Sequence, residues 1–141
     1  MNDVKLLQGH DLRKTYVLGK TEVPVLHGAS ISVNEGNWVS ILGSSGSGKS
    51  TLLHLLGGLD RPDADSGQVR YRGHSVWEQS QRAINDYRNN DIGFVFQFYH
   101  LLPELTVLEN ASLPAMIGNQ NEDGAARAEA LLSQFGLGHR L

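Results

Sequence analysis

The most informative segment of the sequence is Gly43-Ser44-Ser45-Gly46-Ser47-Gly48-Lys49-Ser50, and Thr51 follows it directly. The segment fits the spacing G-x-x-x-x-G-K-S/T without a mismatch. Residues 38–42, which precede it, are apolar and β-prone, so they predict a short buried strand. Residues 51–56, which follow it, favour a helix that stops at Gly57-Gly58. A strand, a glycine-rich loop and a helix in this order predict a loop that binds phosphate groups.

The residue types of this loop favour the binding of an anion. Glycines at 43, 46 and 48 permit φ values that a side chain would penalise, and they let backbone N–H groups turn inward around a phosphate. A helix beginning near Lys49 adds unpaired N–H groups and the positive end of its dipole. Lys49 is expected to reach the β- and γ-phosphates, and the Ser50 hydroxyl to ligate Mg²⁺.

The alternative interpretation of residues 43–51 is a flexible Gly/Ser linker that carries a lysine by chance. Such a linker would lack the apolar strand before the loop and the leucine-rich helix after it. We therefore predict that the chain binds a nucleoside triphosphate, or descends from a protein that does.

Length and composition narrow the remaining possibilities. The 141 residues match one domain of typical size, and the formal net charge of −3 gives no sign of non-specific binding to nucleic acid. There are no cysteines, and the six histidines lack metal-ligand spacing. The sequence shows neither a signal peptide nor an apolar run long enough to span a bilayer. Any membrane role is therefore expected to come through a partner.

The flanking regions predict an antiparallel sheet before a parallel core. Strand-like patterns cover 4–12 and 23–33, and turns are expected around Gly19-Lys20 and at 34–37. Elements expected after the loop are a hairpin over 68–77, a surface helix over 78–88, a second buried strand over 92–96, and helices over 106–116 and 125–135 separated by a loop at 119–124. Thr106 and Glu109 have the spacing of a capping box.

Several separated segments have sequences that are typical of one protein family. They are Tyr16 ahead of the loop, the loop itself, the run Phe94-Val95-Phe96-Gln97, and the segments 97–103 and 105–110. Together they resemble the ATP-binding subunits of ABC transporters, from near Val4 to the end of the chain. Within that family, the segments 97–103 and 105–110, together with residues 53–60, are most similar to lipoprotein-releasing (Lol) exporter ATPases, and the sequences of macrolide-exporter and related ATPases share much of this pattern.

The resemblance implies a site for ATP and Mg²⁺. Tyr16 would stack on the adenine, although it could be an ordinary half-buried tyrosine at a strand end. Gln97 would be the glutamine of the Q-loop, which approaches Mg²⁺ and senses the γ-phosphate. The implied nucleotide-binding residues are Tyr16, Gly43, Ser44, Ser45, Gly46, Ser47, Gly48, Lys49, Ser50, Thr51 and Gln97. Ser50 and Gln97 are the implied metal ligands.

The implied fold is α/β: a P-loop NTPase (RecA-like) core with an antiparallel β subdomain and the start of the helical subdomain. Residues 1–97 would form the first half of the nucleotide-binding domain, and 98–141 the start of the helical subdomain. The family's signature motif, Walker B carboxylates and switch histidine do not occur in this sequence. We therefore expect no catalytic residue in this chain, an incomplete fold with two unpaired apolar strands, and negligible ATP hydrolysis by the chain alone.

The expected function is that of an ATPase subunit that drives lipoprotein release. The resemblance implies transmembrane permease subunits as partners, a homodimer of ATPase subunits, and a cytoplasmic location on the inner face of the plasma membrane. No nucleic acid is expected as a partner. The alternative is a non-catalytic nucleotide- or partner-binding fragment of a decayed or truncated ABC ATPase. A P-loop kinase for small molecules would not explain the wording from Gln97 to Asn110.

Two further groups of residues have more than one possible role. The apolar run 98–102 could be core, or it could face a membrane subunit, which is the interpretation we favour. The acidic residues between Asp60 and Asp65 resemble a metal site, but carboxylates in a turn-rich loop are usually solvated, which is what we expect here.

Overall fold

The computed structural model describes residues 5–118 and 123–140. The chain divides into two compact units, Met1–Arg88 and Asn89–Leu141. The subdomain boundary expected from the resemblance, between residues 97 and 98, stays a prediction.

The first unit contains a four-stranded sheet. Its strands are β1 (Lys5–Leu18), β2 (Thr21–Asn34), β3 (Val69–Tyr71) and β4 (His74–Ser75), in the order β2-β1-β3-β4. Every neighbouring pair is antiparallel, which confirms the predicted antiparallel sheet. β1 and β2 pair along almost their whole length because the tight turn between them, with Gly19 at φ +65°, brings the second strand straight back.

Helix α1 (Lys49–Leu56) supplies much of the core of this unit and ends at Gly57, as the sequence predicts. It buries Leu52, Leu55 and Leu56, while Leu53 faces outward. The other buried apolar residues of the unit are Leu12, Leu26, Val69, Val76, Ile84 and Tyr87. Helix α2 (Gln81–Asp86) is followed by a π-helical turn over Tyr87–Asp91, and the Tyr87 hydroxyl donates a hydrogen bond to the Leu56 carbonyl oxygen at 2.7 Å.

The prediction that two buried strands form a parallel core is wrong for the described structure. Residues 38–42 and 92–96 have no regular secondary structure, and the side chains of Trp38 and Val95 are fully exposed. A strand is stabilised by hydrogen bonds to its neighbours. Among the described residues the only sheet is β2-β1-β3-β4, and it pairs with neither segment. The apolar character of both segments is therefore not enough to make them strands.

The second unit contains α3 (Val107–Ile117), α4 (Gly124–Gln134) and a 3₁₀ turn (Gly138–Arg140). The predicted capping box is confirmed: the Glu109 N–H donates to Thr106 Oγ1 at 3.2 Å, and the Thr106 N–H donates to Glu109 Oε2 at 2.8 Å. Most of the loop predicted at 119–124 lies outside the described residues. Across 5–118 and 123–140, no helix has the length and apolar character needed to cross a bilayer.

Candidate nucleotide-binding site

The glycine-rich loop has the backbone that its sequence predicts at two of its glycines. Gly46 and Gly48 have φ values of +78° and +87°, in the left-handed region that favours glycine. Between them, the Ser47 N–H donates to the Ser44 carbonyl oxygen at 3.3 Å and closes a turn. Residues 43–47 of the loop are exposed to solvent.

Two glycines of the loop, Gly43 and Gly48, have no room for a side chain, because other atoms lie too close to the position of a Cβ atom. A Cβ atom on Gly43 would lie 2.7 Å from Ser47 Oγ. A Cβ atom on Gly48 would lie 2.9 Å from Leu26 Cδ2 and 3.1 Å from the Val25 carbonyl oxygen. Gly48 is therefore the point at which the loop contacts β2, and its missing side chain fixes that contact.

Helix α1 begins directly at the end of this loop. Gly48 is its N-cap residue, and no side chain hydrogen-bonds to the first turn. The first intrahelical hydrogen bond runs from the Leu52 N–H to the Gly48 carbonyl oxygen at 2.9 Å. The N–H groups that precede it, together with the helix dipole, suit an anion at this end of the helix.

Lys49 is folded back onto the loop. Its ammonium group donates to the carbonyl oxygens of Gly43 and Ser44 at 2.9 and 2.6 Å, and it lies 3.4 Å from Ser47 Oγ. Its positive charge is thus placed inside the predicted phosphate cradle. To bind a phosphate, the ammonium must exchange carbonyl oxygens for phosphate oxygens, which are charged and therefore stronger acceptors.

Ser50 and Thr51 occupy the first turn of α1 with different surroundings. Ser50 is exposed, whereas Thr51 is half-buried. The described residues contain no cluster of three or more His, Asp or Glu side chains that could hold a metal ion. Ligation of Mg²⁺ by the Ser50 hydroxyl stays a prediction.

Tyr16 lies near the end of β1, where its hydroxyl donates to Asp60 Oδ2 at 2.8 Å. Burial raises the pKa of the Tyr16 phenol above its ordinary value; the Asp60 carboxylate adds to the rise, and the Thr51 hydroxyl opposes it. Two predicted site residues, Tyr16 and Thr51, thus lie close enough for the Thr51 hydroxyl to influence the pKa of the Tyr16 phenol. Stacking of Tyr16 on adenine stays a prediction.

Asp60 has a structural partner that the sequence did not reveal. The Lys14 ammonium lies 2.6 Å from Asp60 Oδ1 and also donates to the Arg61 carbonyl oxygen at 2.7 Å. Burial alone would raise the pKa of Asp60, but hydrogen bonds from Lys14 and Tyr16 hold it below its ordinary value. The expectation that Asp60 is simply solvated is therefore wrong. Lys14 and Tyr16 are two residues apart on β1 and therefore lie on the same face of the strand. This spacing predicts that the two side chains are neighbours, but it does not predict their contact with Asp60.

Gln97 belongs to the second unit and is exposed at a bend after residues 92–96. Its contact with Mg²⁺ stays a prediction. In the adjoining run 98–102, the four large apolar side chains are all exposed, so the core alternative is wrong for them. Asn110 holds the end of this run, because it accepts from the Leu102 N–H at 2.9 Å and donates to the Leu102 carbonyl oxygen at 3.0 Å.

Comparison with known proteins gives three concordant findings. The model of the ABC transporter family matches residues 26–141. The lipoprotein-releasing system ATP-binding protein LolD of Geobacter metallireducens is 50% identical over 137 residues, which cover 96% of this chain. The solved dimeric post-hydrolysis state of the ATP-binding cassette MJ0796, bound to ADP and Pi, is 34% identical with a TM-score of 0.78 and covers 91% of this chain.

A solved ATP-binding subunit of an ABC transporter is also similar, at 29% identity and a TM-score of 0.70 over 96% of this chain. The chain spans 60% of the length of LolD, 56% of MJ0796 and 52% of that subunit. These findings confirm the resemblance seen in the sequence, and they confirm the P-loop NTPase fold class in spite of the two missing strands. The chain belongs to the ABC transporter family and is part of its ATP-binding cassette.

Proposed function

We propose that this chain carries the phosphate- and base-binding part of an ABC transporter ATPase. The observation that supports this most strongly is the loop 43–50, whose left-handed glycines, uncapped helix N-terminus and inward lysine all suit a polyphosphate. ATP is the proposed nucleotide because the family is that of ATP-binding cassettes. The MJ0796 relative was solved with ADP and Pi, which is the product pair of ATP hydrolysis.

Each residue type has a defined task in this proposal. The backbone N–H groups of the loop surround the β-phosphate, and the Lys49 ammonium moves from Gly43 and Ser44 onto the β- and γ-phosphate oxygens. Ser50 supplies a hydroxyl ligand to Mg²⁺, which when bound neutralises charge on the phosphates. Tyr16 would offer its ring to the adenine, and Gln97 would offer its amide oxygen to the metal.

The whole protein's activity is proposed by analogy with its relatives. A relative 50% identical to this chain is the ATP-binding protein of a lipoprotein-releasing system, so we propose ATP-driven lipoprotein release through transmembrane permease subunits. The dimeric state of MJ0796 supports a homodimer of ATPase subunits. We propose that the permease subunits hold this homodimer at the inner face of the plasma membrane. The exposed run 98–102 is the proposed contact surface for a permease subunit.

A second candidate is nucleotide binding without hydrolysis. It is favoured for the 141-residue chain taken by itself, because the sequence contains no apolar strand that ends in Asp-Glu. Positioning and charge stabilisation carry most of phosphoryl transfer, so a chain without these carboxylates is expected to bind ATP and turn it over negligibly.

The Lys49→Ala variant tests the proposed function. We expect the affinity of the chain for Mg-ATP, measured by titration calorimetry, to fall at least about a hundredfold, since charge-assisted hydrogen bonds contribute about 1.5–3 kcal/mol each. Lys20→Ala is the matched control, because Lys20 is an exposed lysine in the turn between β1 and β2. Equal affinities for the two variants would refute the assignment of the loop.

A further inference from the structure

We propose that Asp60, held in place by Lys14, is a positioning residue that fixes the Tyr16 ring as the base-stacking surface of the nucleotide site. The inference rests on the proposed function and adds the group that orients the base-binding side chain. It concerns a carboxylate in the loop that follows α1, outside the glycine-rich loop and outside every residue predicted from the sequence to touch the nucleotide.

The two oxygens of Asp60 have separate partners. Oδ1 lies 2.6 Å from the Lys14 ammonium, and Oδ2 accepts the Tyr16 hydroxyl at 2.8 Å. The carboxylate is itself oriented, because its Oδ1 also accepts the N–H of Arg61 at 2.8 Å. The Lys14 side chain is 13% exposed and that of Asp60 29% exposed, so solvent competes only partly with this pair. Asp60 can therefore hold the phenol in one orientation.

Lys14 determines which face of the ring is available. Its ammonium lies over the Tyr16 ring, 5.1 Å from the ring centroid. A cation in this position is attracted to the π-system and occupies that face. A base that stacks on Tyr16 must therefore use the opposite face. The Lys14–Asp60 pair thus sets both the tilt of the ring and the side from which a base approaches.

The same contacts tie the ring to the phosphate loop. Tyr16 lies on β1, and its hydrogen-bond partner Asp60 lies in the loop that follows α1, the helix that begins at the end of the glycine-rich loop. The hydrogen bond therefore links the ring to the segment that contains the helix whose N-terminus would hold the phosphates. A fixed distance between base platform and phosphate cradle is pre-organisation, which strengthens binding because less freedom is lost when the ligand binds.

A purely structural role is the competing explanation. In that case the Lys14–Asp60 pair would only link β1 to the loop after α1, and its loss would weaken every ligand of the loop equally. A ligand that has no base distinguishes the structural role of the Lys14–Asp60 pair from its role in positioning Tyr16. Mg-tripolyphosphate presents the phosphate chain to the loop but has nothing to stack on Tyr16.

The experiment measures the affinities of Mg-ATP and Mg-tripolyphosphate by titration calorimetry for the wild-type chain and for Asp60→Ala, Asp60→Asn, Lys14→Met and Tyr16→Phe. We expect Asp60→Ala to weaken Mg-ATP binding about fivefold to tenfold, the scale of one lost hydrogen bond, and to change tripolyphosphate binding less than about twofold. Asp60→Asn should retain most of the affinity because its amide oxygen still accepts the phenol proton. Asp65→Ala, an exposed carboxylate in the same loop, is the matched control and should leave both affinities unchanged.

The double variant Asp60→Ala/Tyr16→Phe gives the second readout. If Asp60 acts through the Tyr16 hydroxyl, the double variant should lose no more Mg-ATP affinity than either single variant. Additive losses, equal losses for ATP and tripolyphosphate, or unchanged ATP affinity in Asp60→Ala would each overturn the inference while leaving the proposed function intact. Wild-type binding that is absent, or that survives Lys49→Ala, would overturn the proposed function and this inference with it.

Discussion

The Gly48→Ala variant is expected to have a free energy of unfolding about 2–5 kcal/mol lower than that of the wild-type chain. Gly48 has φ +87°, a conformation that costs an alanine about 1–2 kcal/mol. The added Cβ atom would also lie 2.9 Å from Leu26 Cδ2 and 3.1 Å from the Val25 carbonyl oxygen, and overpacking of this kind costs about 1–3 kcal/mol. The variant should bind Mg-ATP more weakly as well, because the residue shapes the loop.

Gly46→Ala is the matched control for this prediction. Gly46 has a similar φ of +78°, but a Cβ atom there meets nothing within 4 Å. Its expected cost is therefore the backbone part alone, about 1–2 kcal/mol. Urea unfolding followed by tryptophan fluorescence suits the comparison, since Trp38 and Trp77 both lie in the first unit and Trp77 is partly buried. Equal losses for the two variants would show that the contact of Gly48 with β2 contributes nothing.

The Leu55→Ala variant is expected to cost about 2–5 kcal/mol of the free energy of unfolding. Leu55 is completely buried in the core between α1 and the sheet, and truncating it removes apolar contacts and leaves a cavity. Its effect on Mg-ATP affinity should be small relative to that of Lys49→Ala when both are measured under conditions in which the chain is folded, because Leu55 is fully buried and is not among the residues proposed to bind the nucleotide.

Leu53→Ala provides the control within the same helix. Leu53 is 50% exposed, and alanine is at least as good a helix former as leucine, so the expected change is within about 1 kcal/mol. Both variants are measured by the same urea titration. A loss for Leu53→Ala as large as that for Leu55→Ala would mean that α1 does not pack on the sheet in the way described.

The elements that the sequence predicted correctly are those whose hydrogen bonds are made locally. Helix α1, the β1–β2 pair and the capping box of α3 each find their partners within a few residues or across one tight turn. Composition and periodicity report such elements directly. The glycines at 46 and 48 belong to the same class, because their φ values follow from the motif.

The elements that the sequence did not predict correctly depend on distant partners. Residues 38–42 and 92–96 have the composition of buried strands, but a parallel strand needs neighbours that are remote in sequence, and the described sheet supplies none. The Lys14–Asp60 pair joins residues 46 positions apart, and a carboxylate in a turn-rich loop gives no indication of such a partner. Sequence alone therefore predicted the glycine-rich loop but missed the Lys14–Asp60 pair beside Tyr16.

The most direct test of the nucleotide-binding assignment is to titrate the wild-type chain with Mg-ATP, Mg-ADP and AMP in a calorimeter. Because the loop and Lys49 are proposed to hold the β- and γ-phosphates, we expect ATP and ADP to bind at least about a hundredfold more tightly than AMP. The Tyr16 platform is available to all three ligands, so any difference among them reports on the phosphate cradle. AMP binding as tightly as ATP, or no saturable binding of ATP, would contradict the assignment of residues 43–51 as a phosphate site.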